Sequence, residues 1–123
     1  MSAPKVALLF LFALLGCGDA SVPADAGGDA ATCERADPTC PSIVPSYATT
    51  VHPILDSACV TCHYPASPYA ESSLATYGAV QLVYGSALGQ VSACLMPPPG
   101  KPALSEEQRT ALLSWLACGA PDN

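Results

Sequence analysis

Cys59-Val60-Thr61-Cys62-His63 stands near the middle of the 123-residue chain. Two thiols three positions apart, followed at once by an imidazole, are a donor set rather than a packing pattern. The residues around them read as helix. Upstream, apolar side chains at Tyr47, Val51, Ile54, Leu55 and Ala58 repeat at helical spacing. Pro53 lies inside that run and should kink the helix or restart it. Downstream, Tyr69 to Gly85 carries Leu74, Tyr77, Val80, Val83 and Tyr84, a second amphipathic stretch. A third is the clearest: Ser105 is a good N-cap, Gln108 completes a capping box, and Glu106 and Glu107 suit the positive helix end. Leu112, Trp115 and Leu116 form its apolar stripe, and Cys118-Gly119 followed by Pro121 stops it. No segment alternates with a period of two, so the domain, residues 46–120, is expected to be all-α.

Composition narrows the function classes. Ten Asp and Glu against four Lys and Arg give a formal net charge of −6, which argues against a nucleic-acid partner, since that needs a basic face. The length supports one small domain. Thirteen Pro and nine Gly imply long irregular stretches beside the core. Seven Cys point to an oxidising compartment or a metal-bound cofactor, and the odd number leaves at least one outside any intrachain pair.

The first residues are an address. Lys5, the apolar run Val6 to Leu15 and then Gly16 make a secretory signal, too short for the roughly 20 apolar residues of a membrane span. Leu14-Leu15-Gly16-Cys17 resembles the bacterial lipobox. That resemblance implies a lipoprotein signal peptide over 1–16, cleavage before Cys17 and acyl chains on Cys17, each buried methylene holding the chain to a bilayer by about 0.8 kcal/mol. The alternative is an ordinary signal peptide cut near Ala20. Gly18, where an Asp would retain such a lipoprotein, favours the outer membrane by the same resemblance. From Gly18 to Thr32 the chain is mostly Ala, Asp and Gly and has too little apolar surface to order itself, so it reads as a tether with about 20–30 Å of reach. Cys33 and Cys40, with Asp37-Pro38 between them, are expected to close a small disulfide loop in the 17–45 segment.

Cys59-x-x-Cys62-His63 is the attachment signature of c-type haem. Two thiols at this spacing can each add to one porphyrin vinyl group, and the next residue then lies under the ring, where His63 can coordinate iron. Two other chemistries fit the residue types: a Cys59–Cys62 redox disulfide, without the βαβ pattern that would support it, and zinc held by Cys59, Cys62, His63 and Cys94. Met96, in Cys94-Leu95-Met96-Pro97-Pro98-Pro99-Gly100, is the one Met after the initiator. It follows His63 with a helix between, and Pro97 to Pro99 should stiffen its backbone, so it is the candidate sixth ligand. His52 reads as a surface or capping residue.

With these residues in hand the chain resembles the small bacterial monohaem cytochrome c domains of exported proteins, of class I type. Val51-x-Pro53-Ile54-Leu55, Cys59-x-x-Cys62-His63, Met96-Pro97-Pro98, and Leu104-Ser105 through Leu112-x-x-Trp115-Leu116 to Gly119-Ala120 carry the likeness. It implies a cytochrome c fold, three to four short helices around one covalent haem c, with the first and last helices crossing and iron held by His63 and Met96. The interval from His63 to Met96 is short for that class. The extra Cys94 and Cys118 imply a disulfide. With Cys17 lipidated, Cys59 and Cys62 on haem, and pairs Cys33–Cys40 and Cys94–Cys118, no thiol is left over. His63 should donate its ring N–H to a carbonyl in Tyr64 to Pro68. Haem supplies apolar mass to a domain of marginal size, so the apo-domain is expected to be largely unfolded.

The function so implied is a membrane-tethered electron carrier, not an enzyme, with redox protein partners in the bacterial cell envelope, facing the periplasm or the exterior. The alternatives are a haem sensor whose Met96 yields to a small ligand, and a structural zinc module.

Overall fold

Pro53 has no N–H to give to the carbonyl four residues back, and the chain changes register there. Tyr47–Val51 wind as a π-helical turn capped by Ser46, whose hydroxyl accepts the Thr49 N–H at 3.4 Å. The first α-helix, α1, then runs His52–Ala58 with Pro53 in its first turn, where a missing donor costs nothing. The apolar run therefore restarts rather than kinks. The structure, a computed structural model, describes residues 32–123. The expected signal peptide, Cys17 and the tether up to residue 31 lie outside the described residues.

Two further helices follow, α2 over Tyr77–Ser92 and α3 over Glu106–Ala117, with a single 3₁₀ turn at Ala70–Ser72. Among the described residues there is no strand, so the fold is all-α. No helix among them is long and apolar enough to cross a membrane.

The second helix begins and ends later than its sequence suggests. Ser67 accepts the Tyr69 N–H at 3.1 Å, Ser72 donates to the Tyr69 carbonyl at 3.1 Å, and Ser73 accepts the Ala75 N–H at 3.4 Å. These local bonds compete with helix formation. Thr76 then caps α2 by accepting the Ala79 N–H at 3.2 Å. At the other end α2 passes through Gly85 and Gly89 and stops only where Cys94 turns to φ 61°. The Leu95 N–H reaches back to the Gln90 carbonyl and the Cys94 N–H to the Val91 carbonyl, at 2.9 and 3.2 Å. That is a Schellman motif, with Cys94 at the left-handed position glycine usually fills. α3 ends the same way but uses Gly119, at φ 81°. Its start carries the expected capping box between Ser105 and Gln108.

The core gathers one face of each segment. Tyr47, Val51, Ile54 and Leu55 meet Val80 and Val91 of α2, Leu104, and Leu112, Leu113, Trp115 and Leu116 of α3. Tyr47 stacks on Trp115 at 5.4 Å between ring centroids and meets Tyr77 edge-on, so the first and last helical segments touch through their aromatic rings. The Trp115 indole N–H is satisfied by the Pro121 carbonyl at 2.9 Å.

The expected cysteine pairing is wrong. Cys33 bonds Cys94, and Cys40 bonds Cys118; there is no Cys33–Cys40 loop and no Cys94–Cys118 bridge. The reason is the path of residues 32–45. They form no helix but run across the C-terminal ends of α2 and α3, with the Ala36 N–H on the Ser92 carbonyl at 2.9 Å. Cys33 therefore arrives at the end of α2 and Cys40 at the end of α3. The described part of the expected tether is thus a strap, cross-linked at both helix ends.

Candidate cofactor-attachment site

Cys59 caps α1, its N–H on the Leu55 carbonyl at 2.9 Å. The Cys62 and His63 amides then turn back onto the Cys59 carbonyl, at 3.1 and 2.9 Å. This extra turn sets Cys59, Cys62 and His63 at positions i, i+3 and i+4, the spacing that brings side chains to one side of a helical turn. All three are half-buried. Among the described cysteines these two thiols are the ones outside disulfides.

The loop from Tyr64 to Leu74 orients the imidazole. Short turns fold it back, the Ser67 N–H on the Tyr64 carbonyl and the Ser73 N–H on the Ala70 carbonyl, and the Leu74 N–H closes onto the His63 carbonyl at 2.9 Å. His63 Nδ1 lies 3.0 Å from the Ser72 carbonyl and 3.1 Å from the Ser72 hydroxyl. A carbonyl only accepts, so Nδ1 carries the proton and Nε2 keeps its lone pair. The expected carbonyl partner exists, but it belongs to Ser72 and not to Tyr64 to Pro68. Nothing in the sequence singles out Ser72, because the loop must fold back before it reaches the ring. The Tyr69 ring lies beside the imidazole, 5.5 Å between centroids.

Burial pushes the Cys59 thiol up to about 11. That is the opposite of the lowered pKa a dithiol exchange site needs, and it disfavours a Cys59–Cys62 redox pair. The zinc set loses a member too, because the Cys94 sulfur is bonded to Cys33. Among the described residues no three or more His, Cys, Asp or Glu side chains, Cys59, Cys62 and His63 included, gather closely enough to hold a metal ion by themselves.

Met96 lies on the separate loop after α2. It is half-buried and borders the same core as Cys59 and Leu74. Its amide and that of Leu95 share the Gln90 carbonyl, at 3.2 and 2.9 Å. The prolines beyond it are not one extended rod: the Met96–Pro97 peptide is cis, and Pro98 and Lys101 close a turn with Gly100 at φ 84°. His52 stands at the surface, with Nδ1 3.8 Å from the Asp56 carboxylate. Large apolar side chains near these candidates stay open to solvent: Tyr64 is 41%, Tyr69 57% and Leu95 56% exposed.

Comparison with protein-family models, with characterised proteins and with solved structures finds no match for this chain.

Proposed function

We propose that residues 46–120 form a c-type cytochrome domain that passes single electrons, tethered to a bacterial envelope membrane through a lipidated Cys17. The observation that carries the proposal is the Cys59–His63 turn. Two unpaired thiols and an imidazole stand on it at i, i+3 and i+4, and the Ser72 carbonyl fixes the imidazole proton on Nδ1, so that Nε2 is free to bind a metal. These residues fit haem c: Cys59 and Cys62 would hold it by thioethers, and His63 Nε2 would bind its iron. Met96 is the candidate second protein ligand, a soft thioether on a loop that borders the same core.

When bound, haem supplies a one-electron Fe(III)/Fe(II) couple. The chain's own part is positioning. The Ser72 carbonyl holds the His63 ring against rotation and raises the basicity of Nε2 by accepting the Nδ1 proton. Cys59 enters from α1 at the edge of the core, which limits water at its sulfur. The exposed Tyr64, Tyr69 and Leu95 offer apolar surface that a porphyrin would cover. No acid–base pair or nucleophile arrangement is proposed, and the expected partners are redox proteins of the envelope, the outer membrane being the favoured anchor site.

The test is a pyridine haemochrome spectrum and intact mass of the full chain made with a c-type maturation system. One haem per chain, resistant to acid–acetone extraction, is the expected result; a colourless protein at the bare acylated mass rules the proposal out. Carbon monoxide should bind poorly to the reduced protein and readily to Met96→Ala, with a fall in potential. Ready binding to the wild type would instead favour a haem sensor with a displaceable Met96.

A further inference from the structure

Arg109 of α3 lies across the end of α2. Its Nη2 donates to the carbonyls of Glu34, Val91 and Ser92 at 2.9, 3.2 and 3.2 Å, and lies 3.6 Å from Cys94 Sγ. Carbonyls offer only partial charge. Among the described residues no carboxylate pairs with this guanidinium, and its Nε is buried without an acceptor. A full cation thus sits half-buried against one sulfur of the Cys33–Cys94 disulfide, balanced only by the negative end of the α2 dipole.

A cation beside a sulfur stabilises its thiolate, and in thiol–disulfide exchange the sulfur with the more stable thiolate is the better leaving group. The other sulfur of the pair belongs to Cys33, which is exposed. Cys94 is also held at φ 61°, a left-handed conformation that is costly for a residue with a side chain. The second disulfide matches the first in having one exposed cysteine, Cys40, but it has neither the cation nor the left-handed backbone. Cys118 has an ordinary φ of −84°, Cys40 Sγ meets only the Pro41 carbonyl at 3.7 Å, and no cationic side chain donates to either sulfur among the described residues.

We propose that Cys33–Cys94 is an exchange site for an external dithiol, with Cys33 the sulfur attacked and Cys94 the sulfur released. One thiolate of the dithiol forms a bond to Cys33 Sγ as the Cys33–Cys94 bond breaks, and the electron pair of that bond goes to Cys94 Sγ, held as thiolate by Arg109. The second thiol of the same dithiol loses its proton and attacks the mixed disulfide. It closes the dithiol into its own disulfide and releases Cys33, which takes up a proton. Two electrons pass from dithiol to protein. Cys40–Cys118 stays closed and keeps the strap in place, so the site can re-form.

The experiment uses the full chain as purified, treated with graded dithiothreitol, quenched with N-ethylmaleimide and mapped by peptide mass spectrometry. Cys33 and Cys94 should label faster than Cys40 and Cys118, on the order of tenfold or more. Glutathione used in place of the dithiol should leave its adduct on Cys33. Equal rates, prior opening of Cys40–Cys118, or an adduct on Cys94 would overturn the proposal without recourse to any variant. Arg109→Gln should slow opening of Cys33–Cys94 on the order of tenfold, and Arg109→Lys should restore most of the rate. Unchanged or faster opening in Arg109→Gln removes Arg109 from the role assigned to it.

Discussion

The six described cysteines fall into two groups that the fold treats in opposite ways. Cys33, Cys40, Cys94 and Cys118 are spent at the C-terminal ends of α2 and α3, where they bind a strap with no helix of its own. Cys59 and Cys62 sit on the turn after α1, unpaired, next to an imidazole whose Nδ1 is already engaged. The first group answers a problem of stability in a small domain; the second is left available for chemistry. Each disulfide closes a long stretch, with partners 61 and 78 residues apart, and the chain-entropy estimate for loops of this size is about 4 kcal/mol apiece. The consecutive pairing would have constrained the unfolded chain much less.

The largest expected effect follows from emptying the open group. Cys59→Ser with Cys62→Ser should abolish the proposed covalent haem entirely, while non-reducing peptide mapping still finds both disulfides. Emptying the closed group should do the reverse. Cys40→Ser with Cys118→Ser should keep haem attachment but lower unfolding free energy by about 4 kcal/mol, read by denaturant titration. If either double variant loses both properties, the two groups are not separate. A third measurement concerns the haem-free chain. Where it keeps this fold, alkylation of Cys59 should reach its midpoint near pH 11, because burial holds the thiol neutral up to about 11. In an unfolded chain the midpoint should fall back to the ordinary value of 9.0. The same titration therefore decides whether the apo-domain is folded. The smallest effect compares the two helix ends. In a Cys33→Ser background, Cys94→Gly should be more stable than Cys94→Ser by about 1 kcal/mol, because only glycine takes a positive φ without cost.

The sequence was most legible where signal and geometry lie within a few residues. Ser105 and Gln108 name the start of α3, and Gly119 names its end, because each acts through bonds to its own helix. Apolar spacing alone places α2 too early at both ends. Ser67, Ser72 and Ser73 hold the preceding loop together by bonds that apolar spacing does not reveal. The amphipathic spacing runs out at Gly85, while the left-handed residue that ends α2 is Cys94. The candidate donors Cys59, Cys62 and His63 share one turn because they are adjacent in sequence. The pairing of the other four cysteines and the approach of Ser72 to His63 depend on how the chain returns upon itself, which no local pattern encodes.

The crossed order of the bridges bears on how the molecule is made. A polypeptide emerges amino end first, so Cys33 and Cys40 are out before Cys94 or Cys118 exists beside them. The earliest bond open to them is the one with each other, which the finished protein lacks. Reshuffling such a trapped bond takes seconds to hours unless an isomerase assists. Correct manufacture therefore depends on the two early thiols staying reduced, or on their being unlinked and paired afresh, until the last helix has been delivered.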